Sequence, residues 1–256
     1  MKFDELIKSL QIQPELNNTI WDGNKLRPQI RAALIRVAKI FYDSLKLENK
    51  PKLKDIVFTG SLANYNYSKM SDIDLHLIFD YGSVNKDEDM VSQFFSLAKA
   101  NWNDQHDITI KGYEVEVYAE DEDNPHVATG LYSIMNDKWI KEPHKEQPLF
   151  DIQDVRTKIQ YFIHMYQHLV DEYRAGNMQE LYQQITLLRD KIGKFRQGGL
   201  STGGIFSTEN IAFKLMRRSG LLHKLKLLQN RVLDKQLSVE TQYGKREQVG
   251  NSSTNI

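Results

Sequence analysis

Apolar residues along the first half of the chain follow two different spacings. They recur every three or four positions in three segments, which predicts helices, and they alternate with polar residues in shorter segments, which predicts strands. The predicted helices are 1–10, Pro28 to about Leu47, and Asp87–Trp102. The predicted strands are Asp55–Phe58, Asp72–Phe79, and a bent strand or hairpin around Gly112. This order of elements predicts an α/β domain with a small sheet.

The second half of the chain, from about Asp151, has helical spacing throughout. Two antiparallel helices are predicted on either side of residues 175–177, and two shorter helices on either side of Ser219-Gly220. The stretch "RQGGLSTGGIFS" between the two pairs predicts a glycine-rich loop, with Ser207 or Thr208 capping the helix that follows. The chain is therefore expected to be α/β first and all-α second.

These patterns predict three parts, namely an α/β domain over residues 1–150, a helical domain over 151–238 and a tail over 239–256. The tail lacks apolar residues, which predicts disorder. No apolar run approaches the roughly 18–20 residues that a membrane-spanning helix needs. The N-terminus lacks the apolar core of a signal peptide, and cysteine is absent, so we expect a cytoplasmic protein without a membrane partner.

Charge is distributed unevenly, although the formal net charge is zero. From Asp72 to Asp123 there are fourteen acidic residues and three lysines, whereas from Arg189 to Lys235 there are eleven basic residues and three acidic ones. Zero net charge argues against general coating of nucleic acid. The asymmetry favours an acidic metal site and a basic surface for phosphate groups, and the alternative is that both regions are simply solvated.

The acidic pair of the strand Asp72–Phe79 carries the main functional prediction. Residues two apart in a strand share a face, so Asp72, Asp74 and His76 lie opposite the apolar residues of the same strand. Neighbouring carboxylates repel each other unless a divalent cation compensates, and Mg²⁺ favours oxygen ligands. An EF-hand loop would need glycine where Leu77 stands. In aspartyl phosphatases and nucleotide-sugar glycosyltransferases the acidic pair follows an apolar strand, whereas here it opens one.

A glycine-serine loop precedes this pair. Thr59-Gly60-Ser61 ends one predicted strand, and ten residues separate it from Asp72-Ile73-Asp74-Leu75. The combination resembles the nucleotidyltransferase superfamily of the DNA polymerase β type, whose signature is h-G-[GS] followed, at about this spacing, by D-h-[DE]-h. The minimal members carry a basic residue and a glycine soon after this loop, where this chain has Leu62-Ala63-Asn64-Tyr65. Three further segments, "IWDGNKLRPQIRAAL", "GLYSIMNDKWIKEP" and "FSTENIAFKLMRRSGLL", resemble predicted nucleotidyltransferases of tailed bacteriophages.

The resemblance implies an α/β nucleotidyltransferase domain with a small mixed sheet, followed by a helical domain. It further implies that Gly60 and Ser61 contact a nucleoside triphosphate, and that Asp72 and Asp74 hold two divalent ions, Mg²⁺ or Mn²⁺. The superfamily uses a third carboxylate on a later strand, for which Glu116 is favoured here and Glu114 remains open. The reaction implied is transfer of a nucleoside monophosphate, for instance from ATP, to a hydroxyl acceptor with release of pyrophosphate. A phage origin would place the protein in the cytoplasm of the infected host.

The basic second half has two interpretations. Lys191 or Lys194 would reach the γ-phosphate, as helical domains do in this superfamily, or would only complement a helix dipole. The cluster at Lys214, Arg217 and Arg218 is expected to hold a nucleic-acid backbone, such as that of RNA or tRNA. Two other functions remain open, namely a non-catalytic nucleotide- or RNA-binding module of the same fold, and an interaction protein that docks partners through its charged halves.

Overall fold

A computed structural model of the chain describes residues 3–47, 50–123, 128–145 and 150–238. The chain divides into two compact units, Met1–Pro148 and Leu149–Ile256. The first unit is mixed α/β with a six-stranded sheet, and the second is helical where it is described. The predicted tail over 239–256 lies outside the described residues. No helix within the described ranges is both long enough and apolar enough to cross a membrane.

The first unit combines three α-helices with eight strands along its described residues. The helices are α1 (Phe3–Lys8), α2 (Pro28–Ser44) and α3 (Glu88–Gln105). The strands are β1 (Trp21–Asp22), β2 (Lys25–Leu26), β3 (Leu53–Thr59), β4 (Ile73–Phe79), β5 (Thr109–Ile110), β6 (Tyr113–Asp121), β7 (Leu131–Ser133) and β8 (Lys138–Lys141). Pro28 occupies the first turn of α2, where its missing N–H costs no hydrogen bond. The Asp87 side chain caps α3 by accepting from the backbone N–H of Met90 at 3.1 Å.

The sheet is mixed and has the strand order β5-β6-β4-β3-β7-β8. Strand β4 runs parallel to β6 and antiparallel to β3. The parallel pair needs a crossover connection, which α3 provides. One face of the sheet packs into the core beneath the helices, with fully buried Phe58, Leu75 and Phe79. The opposite face carries Asp74 of β4 and Glu116 and Glu120 of β6.

Four of the strands, β1, β2, β7 and β8, were not predicted from the sequence. Each has two to four residues, which is too short for an alternating pattern to be recognised. An aromatic cluster, formed only in the folded chain, stabilises them. The Trp21 ring stacks on Phe58 at 5.4 Å and on Trp139 at 4.7 Å, and meets the edge of Tyr132 at 5.1 Å.

The segment around Gly112 is a hairpin, one of the two forms predicted. Lys111 and Gly112 both have positive φ, 54° and 83°. Positive φ at both central positions is the conformation of a two-residue turn that matches the twist of a hairpin. This turn joins β5 to β6 and brings Glu114 opposite Thr109.

The second unit contains four α-helices in its described part. They are α4 (Ile152–Ala175), α5 (Leu181–Gly203), α6 (Thr208–Arg218) and α7 (Leu221–Leu237). The predicted breaks at 175–177 and 219–220 are present, and glycines in the left-handed region stand at both, Gly176 (φ 83°) and Gly220 (φ 77°). Ser207 rather than Thr208 caps α6, since its side chain accepts from the backbone N–H of Asn210.

The prediction of a glycine-rich loop over "RQGGLSTGGIFS" is wrong for most of that stretch. Helix α5 continues to Gly203, and a short 3₁₀ turn, Gly204–Phe206, leads into α6. Gly199 is buried, and a β-carbon there would lie 2.5 Å from Cβ of Glu209 and 2.7 Å from Oγ of Ser207. This glycine therefore lets two helices approach closely and does not mark a turn.

Candidate functional site

Asp74 and Glu116 lie side by side on neighbouring strands. They are register partners in the parallel β4–β6 pair, and Thr59 at the end of β3 is the partner of Asp74 on its other side. Register partners project from the same face of a sheet. Asp72 stands one residue before β4, two positions from Asp74. The sheet topology thus brings Asp74 and Glu116 to one face near the start of β4, with Asp72 directly before that strand.

The glycine-serine loop touches the second aspartate directly. Gly60 follows β3 with φ 80° and ψ −162°, a conformation that is essentially restricted to glycine. A β-carbon at this position would lie 1.7 Å from Oδ2 of Asp74 and 2.7 Å from its Cγ. The close approach of the Gly60 backbone to a carboxylate is therefore built into the fold.

Ser61 and Ser71 connect the two ends of the intervening loop. The Ser61 hydroxyl donates to Oγ of Ser71 at 2.7 Å, and Ser71 Oγ also accepts from the backbone N–H of Ser68 at 2.9 Å. Ser71 is 6% exposed and directly precedes Asp72. This small network fixes the distance between the Gly-Ser turn and the start of the acidic strand.

The loop after Ser61 is anchored in the unit. Leu62 and Ala63 are fully buried, and the Trp21 indole Nε1 donates to the Leu62 carbonyl at 2.7 Å. A short 3₁₀ helix, Ser61–Ala63, turns the chain here. A β-carbon at Gly130 would lie 2.1 Å from the Ala63 carbonyl oxygen, so the loop also fits tightly against a second glycine.

The segment before β7 closes the other side of the loop. Thr59 Oγ1 donates to the Gly130 carbonyl at 2.9 Å, and the Asn64 amide nitrogen donates to the Thr129 hydroxyl. Asn64 is 6% exposed. The loop whose sequence departs from the minimal nucleotidyltransferases is thus a packed part of the site, with its own buried polar contacts.

Glu116 is contacted from the next pair of residues along the same face, His76 of β4 and Tyr118 of β6. The Tyr118 hydroxyl donates to Glu116 Oε2. The Tyr118 ring stacks on His76, its register partner, with centroids 4.5 Å apart and planes 19° apart. His76 Nδ1 lies 2.9 Å from Glu120 Oε1. His76 is therefore a partly buried histidine with protein partners.

Glu114 and Glu116 differ in their surroundings. Glu114 is exposed in the hairpin opposite Thr109, whereas Glu116 is half-buried, next to Asp74 and in contact with Tyr118. Both residues share the strand parity that the sequence prediction required. The choice of Glu116 as the third carboxylate stays a prediction, to which these neighbours add support.

The chemistry of the donors suits a hard divalent cation. Asp72, Asp74 and Glu116 offer carboxylate oxygens, the ligands that Mg²⁺ and Mn²⁺ prefer. Across the described ranges of the chain, no three acidic or histidine side chains converge at metal-binding distances. The strands bring the backbone positions of Asp74 and Glu116 together.

The predicted phosphate-binding lysines belong to the helical unit. Lys191 and Lys194 are both exposed on α5, and the Lys191 amine donates to the hydroxyl of Tyr161 and lies 4.7 Å from the centroid of its ring. The role predicted for them at the γ-phosphate stays a prediction.

The basic cluster of α6, Lys214, Arg217 and Arg218, is joined by Arg196, which the sequence prediction did not include in it. Burial, together with the charges of Arg218, Arg217 and Arg196, lowers the pKa of Lys214 to about 8. Arg196 comes from α5, and its guanidinium lies 4.5 Å from the centroid of the Phe213 ring. Two helices therefore contribute to one group of four cations.

Sequence reasoning missed Ser71, Tyr118 and the Thr129–Gly130 segment. Tyr118 had a usable signal, because it stands two residues from Glu116 on the same strand face. Ser71 and the segment before β7 had none, since their contacts depend on long-range pairing. Comparison with known protein families, with curated proteins and with solved structures found no match to this chain.

Proposed function

We propose that this protein is a metal-dependent nucleotidyltransferase that moves a nucleoside monophosphate from a nucleoside triphosphate to a hydroxyl acceptor. The observation that carries the proposal is the approach of the Gly60 backbone to Asp74, beside Glu116 on the next strand. A glycine turn and a row of carboxylates on one sheet face form a combination suited to a triphosphate with its cation. The resemblance of the Gly-Ser and D-x-D pattern to polymerase β-type nucleotidyltransferases supports the same reaction.

Gly60 and Ser61 are assigned to the triphosphate. Without a side chain, Gly60 lets the Asp74 carboxylate lie against its backbone, and backbone N–H groups in such turns can donate to anions. The Ser61 hydroxyl lies at the same turn and now donates to Ser71. We expect it to exchange this partner for a phosphate oxygen when the nucleotide binds.

Asp72, Asp74 and Glu116 are assigned to Mg²⁺ or Mn²⁺. A bound divalent cation would supply charge stabilisation to the attacking and leaving oxygens of the displacement. Carboxylates on one face repel one another without a cation, so we expect these three to converge only when a cation binds.

The transfer itself is a displacement at the α-phosphorus. The acceptor oxygen forms a bond to this phosphorus, the bond to the bridging β-phosphate oxygen breaks, and pyrophosphate leaves with the electron pair. We assign to Glu116 the orientation of the acceptor hydroxyl and the uptake of its proton. Positioning and charge stabilisation account for the rate of such a site, and no covalent nucleophile is needed.

The acceptor is assigned only by class. An RNA 3′ end such as that of tRNA, a protein side chain, or a small hydroxylated molecule each offers the required hydroxyl. The cations of Arg196, Lys214, Arg217 and Arg218 favour RNA among these, because phosphate contacts dominate affinity for nucleic acid. A cytoplasmic setting, including that of a phage-infected host, belongs to the same proposal.

The second candidate is a nucleotide- or RNA-binding module without catalysis. The same cationic group on α5 and α6 favours it, since this group would bind RNA whether or not a transfer takes place. The two candidates differ in one observable, which is the formation of a covalent bond between nucleotide and acceptor.

Transfer of radioactive label tests the proposal. The wild-type protein is incubated with each α-³²P-labelled nucleoside triphosphate, Mg²⁺ or Mn²⁺, and total RNA or cell lysate. We expect a labelled acceptor with the wild type and none with Asp74→Asn. Asp104→Asn, which removes an exposed carboxylate of α3 in the same unit, is the matched control and should retain transfer. Equal labelling by the wild type and Asp74→Asn would refute the proposed site.

A further inference from the structure

We propose that Tyr118 is a positioning residue that orients Glu116 for the metal ion, and that His76 in turn holds Tyr118. This inference rests on the proposed function, since it assumes that Glu116 is a metal ligand. It adds residues to the site that the Gly-Ser and D-x-D pattern does not contain. The three residues lie on two adjacent strands, β4 and β6.

The first step is the contact between Tyr118 and Glu116. The Tyr118 hydroxyl donates to one carboxylate oxygen, Oε2, which leaves Oε1 and further lone pairs for a cation. A glutamate side chain has several rotatable bonds, and this hydrogen bond selects among its conformers. Partners of this kind commonly change metal affinity or activity by about 10–100-fold.

The second step is the support of the Tyr118 ring. His76 and Tyr118 are register partners on parallel strands, and their rings stack with centroids 4.5 Å apart. His76 Nδ1 lies 2.9 Å from Glu120 Oε1, a polar contact that adds to the support of the imidazole. The amine of Lys99, a residue of α3, lies 4.6 Å from the centroid of the Tyr118 ring. The ring is therefore held by neighbours on β4 and α3.

The third step is the position of this group relative to the acids. Asp74 and Glu116 form one row across β4 and β6, and His76 and Tyr118 form the next row along the same strands. The hydroxyl of Tyr118 reaches back along β6 to the first row. A shift of Tyr118 would thus be transmitted to Glu116 through this hydrogen bond.

The experiment measures Mn²⁺ binding by isothermal titration calorimetry, with the metal alone as the ligand. Tyr118→Phe keeps the ring and removes the hydroxyl, and we expect Mn²⁺ to bind about 10–100-fold more weakly. Tyr132→Phe is the matched control, because the Tyr132 hydroxyl donates to Asp137 Oδ1 at 2.8 Å in the same unit. The control should keep wild-type Mn²⁺ affinity even where thermal unfolding shows a loss of stability.

A second variant covers the case in which Tyr118→Phe does not fold. His76→Leu removes the stacked ring and the contact with Glu120 but leaves the tyrosine hydroxyl in place. We expect its Mn²⁺ affinity to fall by a smaller factor, between the wild type and Tyr118→Phe. Wild-type affinity in a folded His76→Leu variant would overturn the supporting role of His76.

The outcomes separate this inference from the proposed function. Mn²⁺ binding to the wild type that is lost in Asp74→Asn, and is weakened in Tyr118→Phe, supports both. Mn²⁺ binding that depends on Asp74 but is unchanged in Tyr118→Phe overturns the inference and leaves the metal site standing. Absence of Mn²⁺ binding to the wild type overturns the proposed metal site, and the role of Tyr118 falls with it.

Discussion

Gly60 and Asp74 lie so close together that a β-carbon at position 60 would be 1.7 Å from Asp74 Oδ2. Sequence places these residues fourteen positions apart, and the antiparallel pairing of β3 with β4 brings them into contact. The contact explains in physical terms why a glycine is needed between Thr59 and Ser61. It also makes the turn and the carboxylate a single structural unit.

Replacement of Gly60 by alanine should damage the site and the fold together. The residue has φ 80° and ψ −162°, which costs a non-glycine residue about 1–3 kcal/mol, and the new methyl group would displace the Asp74 carboxylate. We expect weaker Mn²⁺ binding and a lower free energy of unfolding, measured by titration calorimetry and urea denaturation.

Gly112→Ala is the matched control for this substitution. Gly112 has φ 83° in the same unit, and a β-carbon there would have no neighbour within 4 Å. We expect some backbone strain from the positive φ, but unchanged Mn²⁺ affinity. If both variants bound Mn²⁺ as the wild type does, the contact of Gly60 with Asp74 would have no functional meaning.

Ser71→Ala should loosen the link between the Gly-Ser turn and β4. The substitution removes the oxygen that accepts from Ser61 and from the Ser68 backbone, in a residue 6% exposed. Unsatisfied buried donors cost about 1–3 kcal/mol, which urea denaturation would detect. Ser83→Ala removes an exposed hydroxyl contact with the Asp80 carbonyl and should change stability by less than about 0.5 kcal/mol. Equal effects of the two substitutions would contradict the role given to Ser71.

Two adjacent glycines of α5 should respond to alanine with opposite signs. Gly198 is exposed with open space around its Cα, so Gly198→Ala should stabilise the helix by about 1 kcal/mol. Gly199→Ala would place a methyl group 2.5 Å from Glu209 Cβ and should destabilise the helical unit. Thermal unfolding measures both. Stabilisation by both substitutions would indicate that α5 and the start of α6 do not pack as described.

Much of the local architecture could be predicted from periodicity. The alternation in β4 assigned Asp72, Asp74 and His76 to one face, and the structure shows Asp74 and His76 on the face opposite the core. The helices Pro28–Ser44 and Glu88–Gln105 begin and end within three residues of the predicted limits. These patterns are local, so they are visible without knowledge of which strands pair.

Other features could not be predicted because they depend on long-range contacts. The glycines at 198–204 indicated a loop, and only the packing of α6 shows why Gly199 stands inside a helix. Strands β7 and β8 are stabilised through the Trp21 cluster, from a segment more than 100 positions away. The hydrogen bond of Tyr118 with Glu116 required the orientation of a side chain, which periodicity does not contain.

Lys214 should make the stability of the helical unit depend on pH. Burial and the neighbouring guanidiniums lower its pKa from 10.5 to about 8 in the folded protein. Between these two pH values the unfolded chain binds a proton that the folded chain does not, so stability rises with pH across this window. Below about pH 8 the Lys214 amine is charged in the folded protein, and folding then bears the full free-energy cost of this buried charge.

Lys214→Met removes this cost and tests it. We expect the variant to be more stable than the wild type by roughly 1–3 kcal/mol at pH 7, with the difference shrinking as the pH approaches 10. Lys224→Met, at an exposed position of α7, should show a small difference that does not change with pH. Urea denaturation over this pH range measures both. A wild type whose stability advantage over Lys214→Met grew towards low pH would contradict the assignment.

The position of the transferred phosphorus tests the central claim most directly. Each nucleoside triphosphate, labelled either at the α-phosphate or at the γ-phosphate, is supplied in parallel, with Mg²⁺ and total RNA or lysate, to the wild type and to Asp74→Asn. The proposed reaction predicts that α-label enters an acceptor, that γ-label appears only in pyrophosphate, and that Asp74→Asn abolishes both. Transfer of γ-label to the acceptor, or α-label transfer that persists in Asp74→Asn, would contradict it.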